Sequence, residues 1–292
     1  MRFVSAFCKV SVCAVVILLA GTAMGCRRAR TQKKPLLCYV GGTMRLAMED
    51  LAGQYQKKTG KPVDIDYAGS GELLVRIQTT NVGDLYVCHD PFLGRLMAKG
   101  LGTQGWVVAY VTPMIAVQKG NPKSIKGLKD LVREDVRLGL TDPTYSTTGW
   151  ICKTMFKKAG IADAIEAKDV RRTRGGGQTA NNVKLGHLDA GIVWDAVIHS
   201  RRDALEAVDI EAEYRPQPKV DAITTATFGV VDMSAIQVTM ATLKCSRQAS
   251  DAAAFAEFVA SPEARQTWID YGFSVPEGKV GPVESPKQPA KE

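Results

Sequence analysis

Apolar residues occur along the chain in short runs that alternate with segments of helical spacing. The run LLCYV at residues 36–40 predicts a buried strand, and the residues from about Met44 to Thr59 predict an amphipathic helix. The same succession follows twice more, with strands in KPVDIDY and DLYVCHD and helices in ELLVRIQTT and PFLGRLMAKG. Alternating strands and helices favour an α/β architecture.

The pattern changes in the middle of the chain. WVVAYVTPMIAVQKG is a long apolar segment with Pro113 inside it, so it predicts a strand, a bend and a second strand, where the chain could pass into another domain. Downstream, GNPKSIKGLKDLV predicts a turn and a helix, VRLGLTDP a strand, and TTGWICKTMFKKAG a helix. GGGQTANNVKLGHL predicts a helix after a glycine run, and DAGIVWDAV a strand. DAAAFAEFVASPEARQTWIDYGF predicts two helices broken at Ser261-Pro262, and the polar residues 279–292 predict a mobile tail.

The first 26 residues predict export. Arg2 and Lys9 flank the start, and SVCAVVILLAGTAMG is an apolar run too short for a comfortable membrane span. The run ends in small residues before Cys26 and resembles a bacterial lipoprotein signal. That resemblance implies a signal peptide at 1–25, a lipid on Cys26 and a basic tether at 26–34, with the protein facing the periplasm or the exterior. An ordinary secretory signal or an anchor helix is the alternative interpretation.

Composition narrows the function classes. The 292 residues carry a net charge of +8, much of it near the N-terminus, and no basic segment is interleaved with aromatic residues, so nucleic-acid binding is not indicated. Four cysteines of the main body, Cys38, Cys88, Cys152 and Cys245, show no metal-binding spacing. A Cys38–Cys88 pair and small buried thiols both stay open. The scattered histidines give no catalytic arrangement, so an enzyme is disfavoured.

Four turns rich in glycine and hydroxyl groups precede predicted helices. Helix N-termini have unpaired N–H groups and a positive dipole end, and both favour an anion. The serines and threonines could equally be ordinary N-caps. Phosphate-loop and dinucleotide motifs are absent, as are clustered metal ligands, so the turns together predict a cleft between two lobes where neutral donors converge. The turns are Gly42-Thr43, Gly69-Ser70-Gly71, Thr147-Thr148-Gly149 and Gly175-Gly176-Gly177.

From Leu36 to Phe273 the order of segments resembles the molybdate-binding proteins of ABC transporters, within the type II periplasmic solute-binding superfamily. The most specific segments are KGNP followed by GLKDL, then DAGIVW, and FVASPEARQTWIDYGF. The resemblance implies a two-lobed α/β fold, each lobe a mixed sheet flanked by helices, joined by two hinge strands. Lobe one would contain residues 35–111 and 226–278, and lobe two residues 112–225.

The resemblance also implies individual ligand contacts. The two hydroxyl contacts fall on Thr43 and Ser70, a backbone contact on Thr148, and a further N–H donor on Gly176. The aromatic hydroxyl that closes the site in the family falls on Trp194, which could instead be a core aromatic. Arg45, a helix-surface residue by its position, could add charge. The adjacent glycines of the same turns complete the predicted set: Gly42, Gly71 and Gly149.

The expected function follows from this resemblance. The protein would be a monomeric, lipid-anchored capture protein with no cofactor and no cation site. It would bind a tetrahedral oxyanion, molybdate or tungstate first, without a balancing cation, and deliver it to an ABC permease. Sulfate, phosphate or an organic anion are alternative ligands. A ligand-sensing envelope lipoprotein is a rival function, and an enzyme on this scaffold is a third.

Overall fold

The computed structural model describes residues 33–143, 146–216, 222–225, 229–232, 236–276 and 282–283. The predicted signal peptide, Cys26 and most of the basic tether lie outside these residues, as does most of the predicted tail. Within the described part of the chain, no helix combines the length and the apolar character needed to cross a bilayer.

Strands and helices alternate along most of the described chain, as the hydrophobic pattern predicts. The strands are β1 (Leu36–Gly41), β2 (Val63–Ala68), β3 (Leu85–His89), β4 (Gly102–Tyr110), β5 (Pro113–Gln118), β6 (Leu138–Thr141), β7 (Arg171–Thr173), β8 (Ala190–Trp194), β9 (Leu205–Val208), β10 (Ala222–Thr225), β11 (Gly229–Asp232), β12 (Gln237–Leu243) and β13 (Pro282–Val283). The α-helices are α1 (Arg45–Thr59), α2 (Ser70–Thr80), α3 (Phe92–Ala98), α4 (Thr147–Lys158), α5 (Ala162–Ala167), α6 (Gly176–Lys184), α7 (Asp195–His199), α8 (Ala249–Val259) and α9 (Arg265–Asp270). Short 3₁₀ turns lie at Gly42–Met44, Leu128–Val132 and Ala212–Tyr214.

The strands form two mixed sheets. The first has the order β13-β4-β12-β3-β1-β2, with β1 parallel to β2 and β3, and β12 antiparallel to β3 and β4. The second has the order β7-β6-β8-β5-β9, with β6 parallel to β7 and β8, and β5 antiparallel to β8 and β9. Strands β10 and β11 pair separately with each other. Two mixed sheets, each flanked by helices, confirm the predicted two-lobed α/β fold.

Both faces of the first sheet are covered, which explains the near-continuous apolar runs of β1 and β3. Side chains alternate across a strand. Cys38 therefore lies in the core that also holds α1 and α8, while Cys88 lies in the core between the sheet and α2 and α3. Of the two alternatives that the sequence left open, the structure favours buried thiols over a Cys38–Cys88 pair, because the two thiols are on opposite faces of the sheet. All four described cysteines are free, and Cys38, Cys88 and Cys152 are buried.

The chain passes from the first sheet to the second between β4 and β5. β4 ends at Tyr110 and β5 begins at Pro113, which agrees with the predicted strand, bend and strand. The chain returns with β12, which lies between β3 and β4. The exact lobe limits stay a prediction. Pro282 and Val283, in the predicted tail, pair with β4 at the edge of the first sheet.

Two predicted elements differ from the structure. The predicted strand DAGIVWDAV ends at Trp194, and Asp195–His199 forms the short helix α7. A helix of five residues, of which Ala196, Val197 and Ile198 are buried, is too short to show a helical period, so its spacing does not reveal it. The predicted helix in KGLKDLV is only the 3₁₀ turn Leu128–Val132.

Candidate functional site

A cleft of about 640 Å³ lies between the strand ends of the two sheets. Its walls include residues at or just after the carboxyl ends of β1, β2 and β3 in the first sheet, and of β7 and β8 in the second. Ligands of open α/β proteins bind outside the carboxyl ends of strands, where loops and helix N-termini converge. The cleft is therefore the candidate binding site.

The structure brings five of the predicted site residues together in this cleft. They come from both sheets: three follow strands of the first sheet, one begins α6, and one ends β8. These residues are Gly42, Thr43, Ser70, Gly176 and Trp194.

The other three predicted residues lie in the first turns of α2 and α4 without lining the cleft. A Cβ on Gly71 would lie 3.2 Å from the Phe92 ring, and one on Gly149 would lie 2.6 Å from the Thr141 carbonyl oxygen. Both glycines thus allow close packing behind the cleft. Thr148 is 1% exposed, and its Oγ1 has no hydrogen-bond partner among the described residues.

Helices α2, α4 and α6 begin at the cleft without side-chain caps. The residue preceding each helix makes no side-chain hydrogen bond to the first turn in the described chain. Ser70 is the first residue of α2, after Gly69, so it is not the N-cap that sequence reasoning left as an alternative. The first-turn N–H groups are not used by caps, and their helix ends carry partial positive charge.

Two contacts connect the sheets at the cleft. The Thr147 hydroxyl, at the start of α4, donates to the carbonyl oxygen of Asp90 over 3.0 Å. The rings of His89, at the end of β3, and Trp194, at the end of β8, have centroids 5.5 Å apart. Trp194 is only 3% exposed, so it packs against the opposite half while its edge contributes to the cleft wall.

The charged residues that line the cleft are all arginines: Arg45, Arg174 and Arg201, with no carboxylate in the described lining. Arg45 pairs with Glu49 over 3.0 Å on the exposed surface of α1. Sequence reasoning considered Arg45 but missed Arg174 and Arg201, so the cleft lining holds more basic residues than the neutral donors that it expected. A cleft lined by positively charged side chains raises the local concentration of anions.

His89 contributes an uncharged polar group. It is 7% exposed, and its Nε2 has no hydrogen-bond partner among the described residues. Burial lowers the pKa of His89 to about 4, so the imidazole is neutral near pH 7. A neutral imidazole has one N–H donor and one acceptor nitrogen, so the ring can donate to an anion from its N–H.

Two carboxyl groups lie just behind the cleft, one after each central strand end. Burial raises the pKa of Asp90 to about 7 and the pKa of Asp195 to about 6. Asp195 also accepts the Ala196 N–H over 2.8 Å. The raised pKa values reduce the negative charge near the cleft at and below neutral pH. In the described chain, no group of three or more metal-ligating side chains could hold a metal ion.

Comparison with known proteins identifies the class that this fold and cleft define. A family model for bacterial extracellular solute-binding proteins matches residues 36–274, and the chain belongs to this family. The match confirms the type II periplasmic solute-binding resemblance found in the sequence.

Individual relatives are distant. The chain is 26% identical to a Haemophilus influenzae protein named only as a binding protein, over 88% of this chain and 97% of that one. It is 24% identical to the molybdate-binding protein ModA of Mycobacterium tuberculosis, over 83% and 85% of the two chains. The solved periplasmic molybdate-binding protein of Azotobacter vinelandii superposes with a TM-score of 0.69 at 18% identity, covering 83% of this chain and all of that one. This last likeness shows the shared fold.

Proposed function

We propose that this protein is an exported solute-binding protein that captures a tetrahedral oxyanion in the cleft and delivers it to an ABC permease. One observation carries the proposal. Uncapped helix starts, hydroxyl groups and arginines from both halves line one cleft, and the described lining holds no carboxylate. Such a lining favours a negatively charged ligand and disfavours a cation.

The donors are sufficient for useful affinity. Thr43, Ser70 and the first-turn N–H groups of α2 and α6 can each donate to an oxyanion, and a hydrogen bond to a charged group contributes roughly 1.5–3 kcal/mol. About five to seven such bonds, less roughly 4–15 kcal/mol for association and ordering, allow micromolar or tighter binding.

Molybdate and tungstate are the first ions to test, because named relatives of this family bind molybdate. Sulfate and phosphate present the same four acceptor oxygens, so selection among them would depend on the size of the closed site. We place the protein outside the cytoplasmic membrane as a monomer, with no cofactor, anchored by a lipid on Cys26.

Titration calorimetry with molybdate, tungstate, sulfate and phosphate tests this function. At least one ion should bind, and Ser70→Ala and Thr43→Val should each weaken its binding by roughly 1–3 kcal/mol, because each removes one donor. Thr79→Val is the matched control, since Thr79 is exposed near the other end of α2 and bonds only within that helix. Binding of none of the four ions, or unchanged affinity in both cleft variants, would contradict the proposed site.

A further inference from the structure

The end of the first sheet that lies opposite the cleft is rich in exposed basic side chains. Strands β1, β2 and β3 are parallel, so their amino ends lie together at the edge away from the cleft. The end of β12 lies there too, because Thr242 pairs with Leu85 at the beginning of β3. The exposed basic residues that flank these strand ends and the adjacent helix ends form what we call the basic end: Lys33, Lys34, Lys57, Lys99, Lys244 and Arg247.

Carboxylates neutralise only part of the charge in this region. Lys58 and Lys61, which lie beside the basic end, each form an ion pair with a carboxylate. The residues of the basic end itself form no ion pair with the part of the chain that the structure describes. Asp84 is buried and accepts the Leu37 N–H over 2.9 Å, and Asp64 is exposed at the start of β2. A net positive charge therefore remains at this end of the sheet.

The helix dipole explains only some of these basic residues. Lys57 lies in the last turn of α1 and Lys99 directly follows α3, where a lysine complements the negative end of the dipole. Lys34 instead precedes β1, and Lys244 directly follows β12. Arg247 lies just before the first turn of α8, where a positive charge is unfavourable. The cluster as a whole therefore needs a partner outside the fold.

The N-terminal segment brings this end of the sheet close to a membrane. Residues 27–32 lead directly into Lys33 and contain three more arginines. Fully extended, the chain from Cys26 to Lys33 spans at most roughly 25 Å. The lipid that we propose on Cys26 would therefore hold the basic end within this distance of the bilayer surface. Val82, which is 55% exposed between α2 and β3, adds apolar surface at the same end.

We propose that the basic end docks on the surface of an anionic lipid bilayer. The headgroups of anionic lipids attract clustered lysines and arginines, and each basic residue near the surface raises the affinity by roughly fivefold. A neutral bilayer surface or an acidic solute offers no comparable sheet of negative charge. The partner is therefore the lipid surface itself.

Docking at the basic end leaves the cleft on the side away from the bilayer. Strand β1 has 6 residues, so the basic end and the cleft are roughly 20 Å apart. This separation exceeds the Debye length of about 8 Å at physiological salt, so the arginines of the cleft do not take part in the docking. The cleft stays open to the aqueous phase, where its ligand is captured. The inference does not depend on which anion the cleft binds.

Sedimentation with lipid vesicles tests the inference. Vesicles that contain phosphatidylglycerol and phosphatidylcholine would be compared with vesicles of phosphatidylcholine alone. The protein begins at Arg27 and carries no lipid, and it retains the fold because every described helix and strand lies after residue 32. The double variant Lys34→Gln/Lys57→Gln is compared with the matched control Lys153→Gln/Lys157→Gln, whose lysines are exposed on α4. Each pair removes two positive charges, and thermal melting verifies that both variants are folded.

The wild type should bind the vesicles with phosphatidylglycerol at least about tenfold more tightly than the neutral vesicles, and this binding should weaken as salt is added. Lys34→Gln/Lys57→Gln should lower the affinity by at least about tenfold, whereas the control should stay within about threefold of the wild type. The inference is overturned if the wild type does not prefer anionic vesicles, if the double variant binds as the wild type does, or if the control loses as much. Calorimetry with the oxyanions is an independent readout, so the proposed function and this inference stand or fall separately.

Discussion

The substitution Gly42→Ala should lower the affinity for the ligand without lowering the stability of the fold. Gly42 begins the 3₁₀ turn after β1 and lines the cleft. Its backbone is not in the left-handed region, and a Cβ built there meets no other atom within 4 Å. The fold can therefore accept alanine, whereas a ligand that touches the backbone at this turn cannot approach as closely.

The two expected effects have opposite signs. Replacing a glycine by alanine at a compatible position stabilises a protein by about 0.4–1 kcal/mol, because the unfolded chain loses conformational freedom. In the cleft, the added methyl group would displace the anion from at least one donor. The loss of one hydrogen bond to a charged group corresponds to roughly 1.5–3 kcal/mol, or about 10- to 150-fold in Kd.

Titration calorimetry and urea denaturation measure the two effects on the same samples. Gly53→Ala is the matched control, since Gly53 lies inside α1, its Cβ would also meet nothing within 4 Å, and it does not line the cleft. Both variants should be at least as stable as the wild type. Only Gly42→Ala should bind the anion more weakly than the wild type. Wild-type affinity in Gly42→Ala would refute the close approach of the ligand to this turn.

Two further predictions concern groups whose pKa burial changes. Burial raises the pKa of Asp90 from its ordinary value of about 4 to about 7, so the folded state retains a proton that the unfolded chain releases. Stability therefore falls as the pH rises from about 4 through 7. Asp90→Asn should remove this decline. Thermal melts should therefore show that the stability of the variant relative to the wild type increases between about pH 4 and pH 8, by up to about 4 kcal/mol. A stability difference that does not change with pH would contradict the buried-acid explanation. Burial raises the pKa of Cys88 and Cys152 to about 12, whereas Cys245 is only half-buried. Alkylation of the native protein, read by peptide mass spectrometry, should therefore modify Cys245 at least about tenfold faster than the other two, and equal rates would contradict the packing.

The sequence predicted most elements because their spacing was distinct. Helix α1 and strands β4 and β5 lie where the pattern placed them, since α1 has one apolar stripe and Pro113 interrupts the long apolar run. The turns before α2 and α6 were also recognisable, because glycine and hydroxyl residues there precede a helical pattern. Helix α7 could not be predicted, since its five residues follow β8 directly and are too few to show a helical period.

Arg201 illustrates what sequence patterns leave undetermined. It belongs to the pair Arg201-Arg202, and nothing in the sequence distinguishes one arginine from the other. The structure separates them because the chain turns after α7, so that Arg201 bonds to Asn181 on α6 while Arg202 stays exposed. Which arginine faces the cleft therefore depends on how α6 and α7 pack, and tertiary packing of this kind has no local signal.

The central claim is that one anion is bound by donors from both halves of the molecule. Crystals of the protein grown in saturating tungstate would test it most directly, since the anomalous signal of tungsten locates the ion without interpretation of weak density. The account predicts a single strong peak in the cleft, within hydrogen-bond reach of Thr43 or Ser70 on one side and of Gly176 on the other. A cleft without tungsten, or tungsten bound only to one half, would contradict it.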